Sequence, residues 1–204
     1  MALTNVWLIE EYNKLNFEIN PNDIVIDVGA HIGLFTLYAS QFCSKGTIYS
    51  FEPVKENYKL LLENVKLNNL EQVNIFNLAV SNSNETVKLY INDDESGHSM
   101  FSQSSQSIMI DSISLQRIFD DNQIEHCNFL KLDCEGAEYE IIKNLPLTYL
   151  EKIDKMIIEY HMTDSHPELL SELKEILTNH NFKINTKSSF LGMGFLYAKK
   201  TKSS

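Results

Sequence analysis

The amino-acid sequence predicts an α/β fold: a doubly wound sandwich built on a mostly parallel sheet. Three features point there. Short apolar runs with strand character alternate with helical patterns, and strands joined by helical crossovers lie parallel with both faces covered. The first run, in "DIVIDVG", passes through a glycine-bracketed turn directly into a helix. The last two runs, "NFKIN" and "GFLYAKK", read as a closing antiparallel pair.

Each element has a local signature. "GLFTLYASQFC" is apolar on most sides, as a well-buried helix is. "GTIYSFEP" is a strand stopped by Pro53, which has no N–H to give a ladder. In "ENYKLLLENVKLNN", Tyr58, Leu61, Leu62 and Val65 fall at i, i+3, i+4 and i+7, one face of an amphipathic helix. "VNIFNLAV" reads as the third strand and "TVKLYIN" as an additional one. Residues 92–107 are polar and serine-rich and form the one long loop, of a length that marks either a functional lid or a disordered segment. "SIMIDSISLQRIF" resumes as a short strand and a helical turn, "CNFLKLDCEGAEYEIIKNL" as strand, turn and helix, and "KMIIEYH" as a strand. "HPELLSELKEILTNH" is a helix with Pro167 near its first turn and Leu169, Leu170, Leu173, Ile176 and Leu177 on one face. Val6, Leu8, Ile9 and Leu15 give the segment before Asn22 an apolar helical pattern. The whole chain, 1–204, is read as one domain, with 1–22 a helical segment and 92–107 a loop beside the site.

The bulk numbers limit the partners. A chain of 204 residues can bury a real core. Its net charge of −11 disfavours polyanions, so no nucleic-acid partner is expected. Cys43, Cys127 and Cys134 are an odd count without scaffold spacing and read as reduced thiols. No run reaches the roughly 20 apolar residues of a membrane span. Acids stand where a signal peptide needs its apolar region. A cytoplasmic protein is expected.

In a doubly wound sheet, ligands bind outside the carboxyl ends of the strands. The residues to examine are therefore Asp27 to Gly29, Glu52, Asn77 to Val80, Asp133, and Glu159 to His161. Gly29 and Gly33 bracket the first turn, with Ala30 and His31 inside it. Glycine there allows positive φ and close backbone approach. Glu52, nineteen residues after Gly33, ends the second strand, where a carboxylate can accept hydrogen bonds from both hydroxyls of a ribose. Glycine turn plus strand-end acid signals an adenosine-containing ligand. A dinucleotide would need a glycine at 31, and Asp27 would face its pyrophosphate with a negative charge. Asp27 suits a cationic amino group, or a hydrogen-bonded network supporting the turn. S-adenosylmethionine, with an ammonium and a sulfonium, is favoured over NAD.

"DVGAHIG", "FEP" and "KLDCEGAEYEII", with "IMIDSISL" and "IIEYH" around the last, resemble the FkbM family of S-adenosylmethionine-dependent methyltransferases. The resemblance runs from about Asp23 to Lys199, and "KLDCEGAE" is its most specific part. It implies the Rossmann-like class I methyltransferase sandwich, seven strands with the last antiparallel. It also implies O-methylation of a hydroxyl, often on a sugar, glycan or small metabolite. It places His98, Ser99 and Met100 of the loop near the active site.

Methyl transfer from a sulfonium to an alcohol needs alignment and a proton acceptor. Asp133, Glu135, Glu159 and His161 are the candidates, since they cluster at the ends of neighbouring strands and Glu159 and His161 share a face at period two. His161 or Asp133 is the expected base. The same cluster could bind a divalent metal through oxygens and an imidazole, but no local ligand motif is present and metal-free chemistry is favoured. Ala79 and Val80 are expected to flank adenine with their backbone groups. Asn77 stands where many class I methyltransferases carry an acid.

Plainer readings compete. Glu138 and Glu140 suit the positive end of a helix. Lys131 reads equally as a structural partner of these acids, and His31 equally as a contact to the cofactor's carboxylate or as a helix cap. Cys134 and the His126–Cys127 pair read as packing. A NAD-dependent oxidoreductase of similar topology and a non-catalytic module are the alternatives. The N-terminal segment is read either as a lid or as a surface for a second copy in a homodimer.

Overall fold

The computed structural model describes residues 17–91, 106–189 and 192–201. Most of the expected N-terminal helical segment and residues 92–105 of the expected loop, with His98, Ser99 and Met100, lie outside them. The strands are β1 (Ile24–Val28), β2 (Thr47–Phe51), β3 (Val73–Phe76), β4 (Ala79–Ser81), β5 (Thr86–Ile91), β6 (Gln106–Ser114), β7 (Phe129–Leu132), β8 (Lys155–Tyr160), β9 (Phe182–Ser188) and β10 (Gly194–Lys200). The helices are α1 (Leu34–Ser40), α2 (Lys55–Leu67), α3 (Leu115–Asp121), α4 (Glu138–Asn144), α5 (Leu147–Leu150) and α6 (Pro167–Asn179).

Seven strands form the main sheet in the order β3-β2-β1-β7-β8-β10-β9. All its pairings are parallel except those of β10, which runs antiparallel to both β8 and β9. The chain begins in the middle at β1, builds outward to β3, then returns to the other side of β1 with β7. The order therefore reverses between β1 and β7, and it is outside the carboxyl ends at such a reversal that an open α/β sheet places its ligand crevice.

Side-chain alternation sends each strand's residues to two cores. Ile26, Val28, Leu130, Leu132, Met156 and Ile158 pack on one face with Ile142, Leu173 and Leu177. Val25, Phe129, Ile157 and Tyr197 pack on the other with Phe35, Tyr38 and Phe17. The apolar faces expected of α2 and α6 point inward, with Leu61, Val65, Leu173 and Leu177 buried.

The stretch "VNIFNLAV" is not one strand. β3 ends at Phe76, and Ala79–Ser81 forms β4, which leaves the main sheet for a small one ordered β4-β6-β5. Asn77 makes the break: its Nδ2 donates to the carbonyls of Glu52 and Pro53, both at 2.9 Å, and ties the end of β3 to that of β2. β6 is also longer than the sequence suggested, and it takes in residues 106 and 107 of the expected loop. Among the described residues, no helix is long and apolar enough to cross a membrane.

Candidate active site

Backbone conformation marks the site before any side chain does. Among the described residues, six other than glycine have positive φ: His31, Asn69, Gln123, Glu135, Met162 and Asn181. Asn69, Gln123 and Asn181 lie two residues beyond the ends of α2, α3 and α6, where left-handed residues commonly close a helix. The other three follow the carboxyl ends of β1, β7 and β8. Left-handed backbone in a residue with a Cβ costs roughly 1–2 kcal/mol, and such cost collects at functional sites.

The turn after β1 is held from β2. Gly29 and Ala30 donate their N–H groups to the Phe51 carbonyl. Glu52, buried, accepts from His31 N on one carboxylate oxygen and from Val54 N on the other, both at 2.8 Å. Burial raises its pKa, against the two backbone donors. The acid expected to read a ribose thus also fixes the turn; the Asn57 side chain is a third donor to it, and a carboxylate's four lone-pair sites leave room for a ligand hydroxyl. Gly29, at φ +72, is obligatory: a Cβ there would lie 1.8 Å from the Asp133 carbonyl oxygen. Gly33, at φ +92, opens α1 in the left-handed conformation, so the helix is capped by glycine and not by His31. His31 is exposed at the surface of the turn.

Behind the turn runs a buried polar chain. Ser50, Asp27 and Lys131 are direct neighbours on β2, β1 and β7. Asp27 has no solvent exposure. Its Oδ2 accepts from Thr36 Oγ1 at 2.7 Å, and Thr36 lies 2.8 Å from Ser50 Oγ. Its Oδ1 takes no well-directed hydrogen bond but sits 3.3 Å from Lys131 Nζ. Lys131 Nζ also donates to the Gly29 carbonyl at 2.8 Å and lies 3.4 Å from Asp133. Of the two roles the sequence leaves open for Asp27, this geometry supports the network that braces the turn. Lys131 joins that network to Asp133.

Asp133, Glu135 and His161 come together at the ends of β7 and β8, with one ligating atom of each within 4.8 Å of the others. His161 is 5% exposed, and its Nδ1 is 2.7 Å from Glu138 Oε1. Glu138 has no exposure at all. A carboxylate can only accept, which assigns the hydrogen to Nδ1. His161 Nε2 and Glu138 Oε2 have no hydrogen-bond partner among the described residues; Glu135 Oε2, at 3.6 Å from Nε2, is too far. The Tyr139 hydroxyl donates to the His161 carbonyl and holds the strand end. Burial pushes Glu135 up to about 7, the Asp133 charge adding to the rise. Burial and the Asp133 charge push Glu159 up to about 8. For His161, burial works downward but is outweighed by the Glu138, Glu135 and Asp133 carboxylates, and the imidazole rises to about 10.

Ala79 and Val80, whose backbone groups are expected to flank adenine, lie in the small sheet. Both are buried in β4, paired with Ser112 and Ile113 of β6, and the Val80 side chain packs in the main core. Glu140 bonds Asn144 along its own helix and takes no part in the cluster. Burial and the Glu138 charge push the Cys134 thiol well up, which disfavours its thiolate.

Sequence reasoning missed Glu138 as the partner of His161. Nothing local links positions 138 and 161; only the register of β7 on β8 brings them together. It also missed Thr36 and Ser50, small hydroxyls with no motif of their own.

Residues 27–184 match the family model of the methyltransferase FkbM domain. AMB antimetabolite synthetase AmbE of Pseudomonas aeruginosa is 21% identical over 91% of this chain, which spans only 11% of AmbE. Hexuronic acid methyltransferase AglP of Haloferax volcanii is 24% identical over 85% of this chain and 71% of its own length. Among solved structures, a methyltransferase FkbM from Methylobacillus flagellatus superposes with a TM-score of 0.63 at 18% identity, over 92% of this chain and 47% of its own.

Proposed function

Because the chain belongs to the FkbM methyltransferase domain family, and so to the S-adenosylmethionine-dependent methyltransferases, we propose that it O-methylates a hydroxyl on a sugar, glycan or small metabolite. The observation that carries this reading is the cluster of Asp133, Glu135, Glu159 and His161 at the switch point, against the turn that Glu52 holds.

The residues fit the cofactor. Glu52 keeps acceptor capacity for the ribose hydroxyls at the edge of the glycine turn. The strand-end acids supply the negative surroundings that an ammonium and a sulfonium require. When bound, S-adenosylmethionine supplies an activated methyl group. The chain's own residues must then orient the acceptor and take its proton. Glu159, raised to about 8, is matched to accept a proton near neutral pH. His161, held by Glu138, can orient the acceptor oxygen. A sugar-acid acceptor is consistent with the likeness to AglP, and the net charge of −11 favours a small acceptor over a nucleic acid.

The test is calorimetric titration of S-adenosylmethionine, and separately NAD, into the protein and its Glu52→Ala variant. Labelled methyl transfer is then measured to free sugars, uronic acids, hydroxylated metabolites and transfer RNA. S-adenosylmethionine binding that weakens at least tenfold in the variant, with a base-stable methyl ether as product, is expected. A base-labile ester would move the acceptor to a carboxyl group, a labelled RNA would move it to nucleic acid, and preference for NAD would sink the reading.

A further inference from the structure

We propose that Asp133, Glu135 and His161 form a binding site for a first-row divalent cation, with Glu138 as the residue that aims the imidazole. The sequence has no ligand motif here because the ligands come from two strand ends, 133–135 after β7 and 161 after β8. In space the three ligating atoms lie within 4.8 Å of one another. An ion bonded at about 2.0–2.2 Å sets its ligands about 3–4 Å apart, and His161 Nε2 is already 3.6 Å from Glu135 Oε2.

The imidazole makes this more than a group of acids. It is buried, its Nδ1 is taken by a fully buried carboxylate, and its Nε2 points at Asp133 and Glu135 with no hydrogen-bond partner among the described residues. A histidine whose far nitrogen is hydrogen-bonded to a carboxylate while the near one lacks a partner is arranged as a metal ligand is, the ion displacing the Nε2 proton. Charge agrees. Asp133, Glu135, Glu138 and Glu159 converge here, and of the nearby cations Lys131 is already divided between Asp27 and Asp133. Two carboxylates and one imidazole on one side leave the other side open, the donor set of a catalytic rather than a structural site. Such an ion would hold and acidify an acceptor hydroxyl. That use rests on the methyl transfer proposed above, while the binding does not.

The test titrates Mn²⁺ into the metal-free, cofactor-free full chain and follows the bound ion by electron paramagnetic resonance. One ion per chain, with hyperfine coupling to a single imidazole nitrogen, is expected. His161→Gln removes the coupling and weakens binding at least tenfold. Glu138→Gln, which touches no ion, weakens it by about 10- to 100-fold. His126→Gln, at the exposed pair with Asp154, changes nothing. No binding at millimolar Mn²⁺, a bound ion without nitrogen coupling, or an affinity unmoved by His161→Gln would overturn the site. The coupling in the unaltered chain decides the matter even if a variant fails to fold. S-adenosylmethionine is titrated in parallel with chelator present, so a failed metal site and a failed methyltransferase reading give separate results.

Discussion

The two halves of the crevice treat their acids differently. At the ends of β1 and β2, Glu52 has a backbone N–H on each oxygen, and Asp27 has Thr36 on one side and Lys131 on the other. At the ends of β7 and β8, carboxylates crowd together. Glu138 Oε2 and His161 Nε2 lack hydrogen-bond partners among the described residues, as Asp27 Oδ1 does, but Asp27 Oδ1 has the Lys131 ammonium 3.3 Å away. A buried polar group left unpaired costs about 1–3 kcal/mol, so a fold selected for stability alone would not keep the second arrangement. The first half is built to hold a shape. The second gathers titratable groups at the expense of stability.

The sharpest way to break this contrast is at the seam between the halves. Gly29→Ala would drive a methyl into the Asp133 carbonyl at 1.8 Å and force an L-residue to φ +72. Backbone meets backbone there, so no rotamer relieves it. A loss of about 4–5 kcal/mol, the range of the most severe single substitutions, is expected in chemical denaturation. Near-unchanged stability would mean that β1 and β7 do not approach as described.

Lys131→Met comes next. It leaves Asp27 fully buried with one partner gone, a change that costs about 3–5 kcal/mol when a buried pair is broken from one side. The double variant Asp27→Asn/Lys131→Met should recover a good part of the loss, because neither group is then a stranded charge. If the double variant is as unstable as the single, Lys131 acts by packing on Phe35, 6.0 Å below its ammonium, and not by charge.

How much of this was legible in the sequence follows from the same contrast. The sheet and its helices could be read because strand, glycine turn and amphipathic helix are local patterns: Gly29, Gly33 and Glu52 stand where the spacing places them. The acids at 133, 135 and 159 and the histidine at 161 could be read as strand-end residues for the same reason. The split of "VNIFNLAV" could not, because it depends on Asn77 reaching two carbonyls of another strand end. Nor could the bracing role of Asp27, which depends on Lys131 lying beside it across a parallel pairing. The Glu138–His161 pair was hidden similarly, since the first-turn acid of a helix has an adequate local explanation in the helix dipole.

The smallest effect expected is the most diagnostic of the crowded half. A carboxyl group with a raised folded-state pKa retains protons that the unfolded chain has already released, so stability falls as pH rises. For Glu135 and Glu159 that window runs from the ordinary 4.5 to about 7 and about 8. His161, raised from 6.5 to about 10, adds stability that is complete below 6.5 and is lost as pH climbs through 10. Both slopes have the same sign, so the metal-free protein should lose stability steadily from about pH 5 to 10. Glu159→Gln should flatten the lower part of that curve and make the protein more stable than the parent at pH 8, a gain from deleting a partly buried charge. Thermal melts across pH decide it. A Glu159→Gln variant less stable than the parent at pH 8 would mean that its carboxylate is satisfied after all, and the contrast between the two halves would fail at that residue.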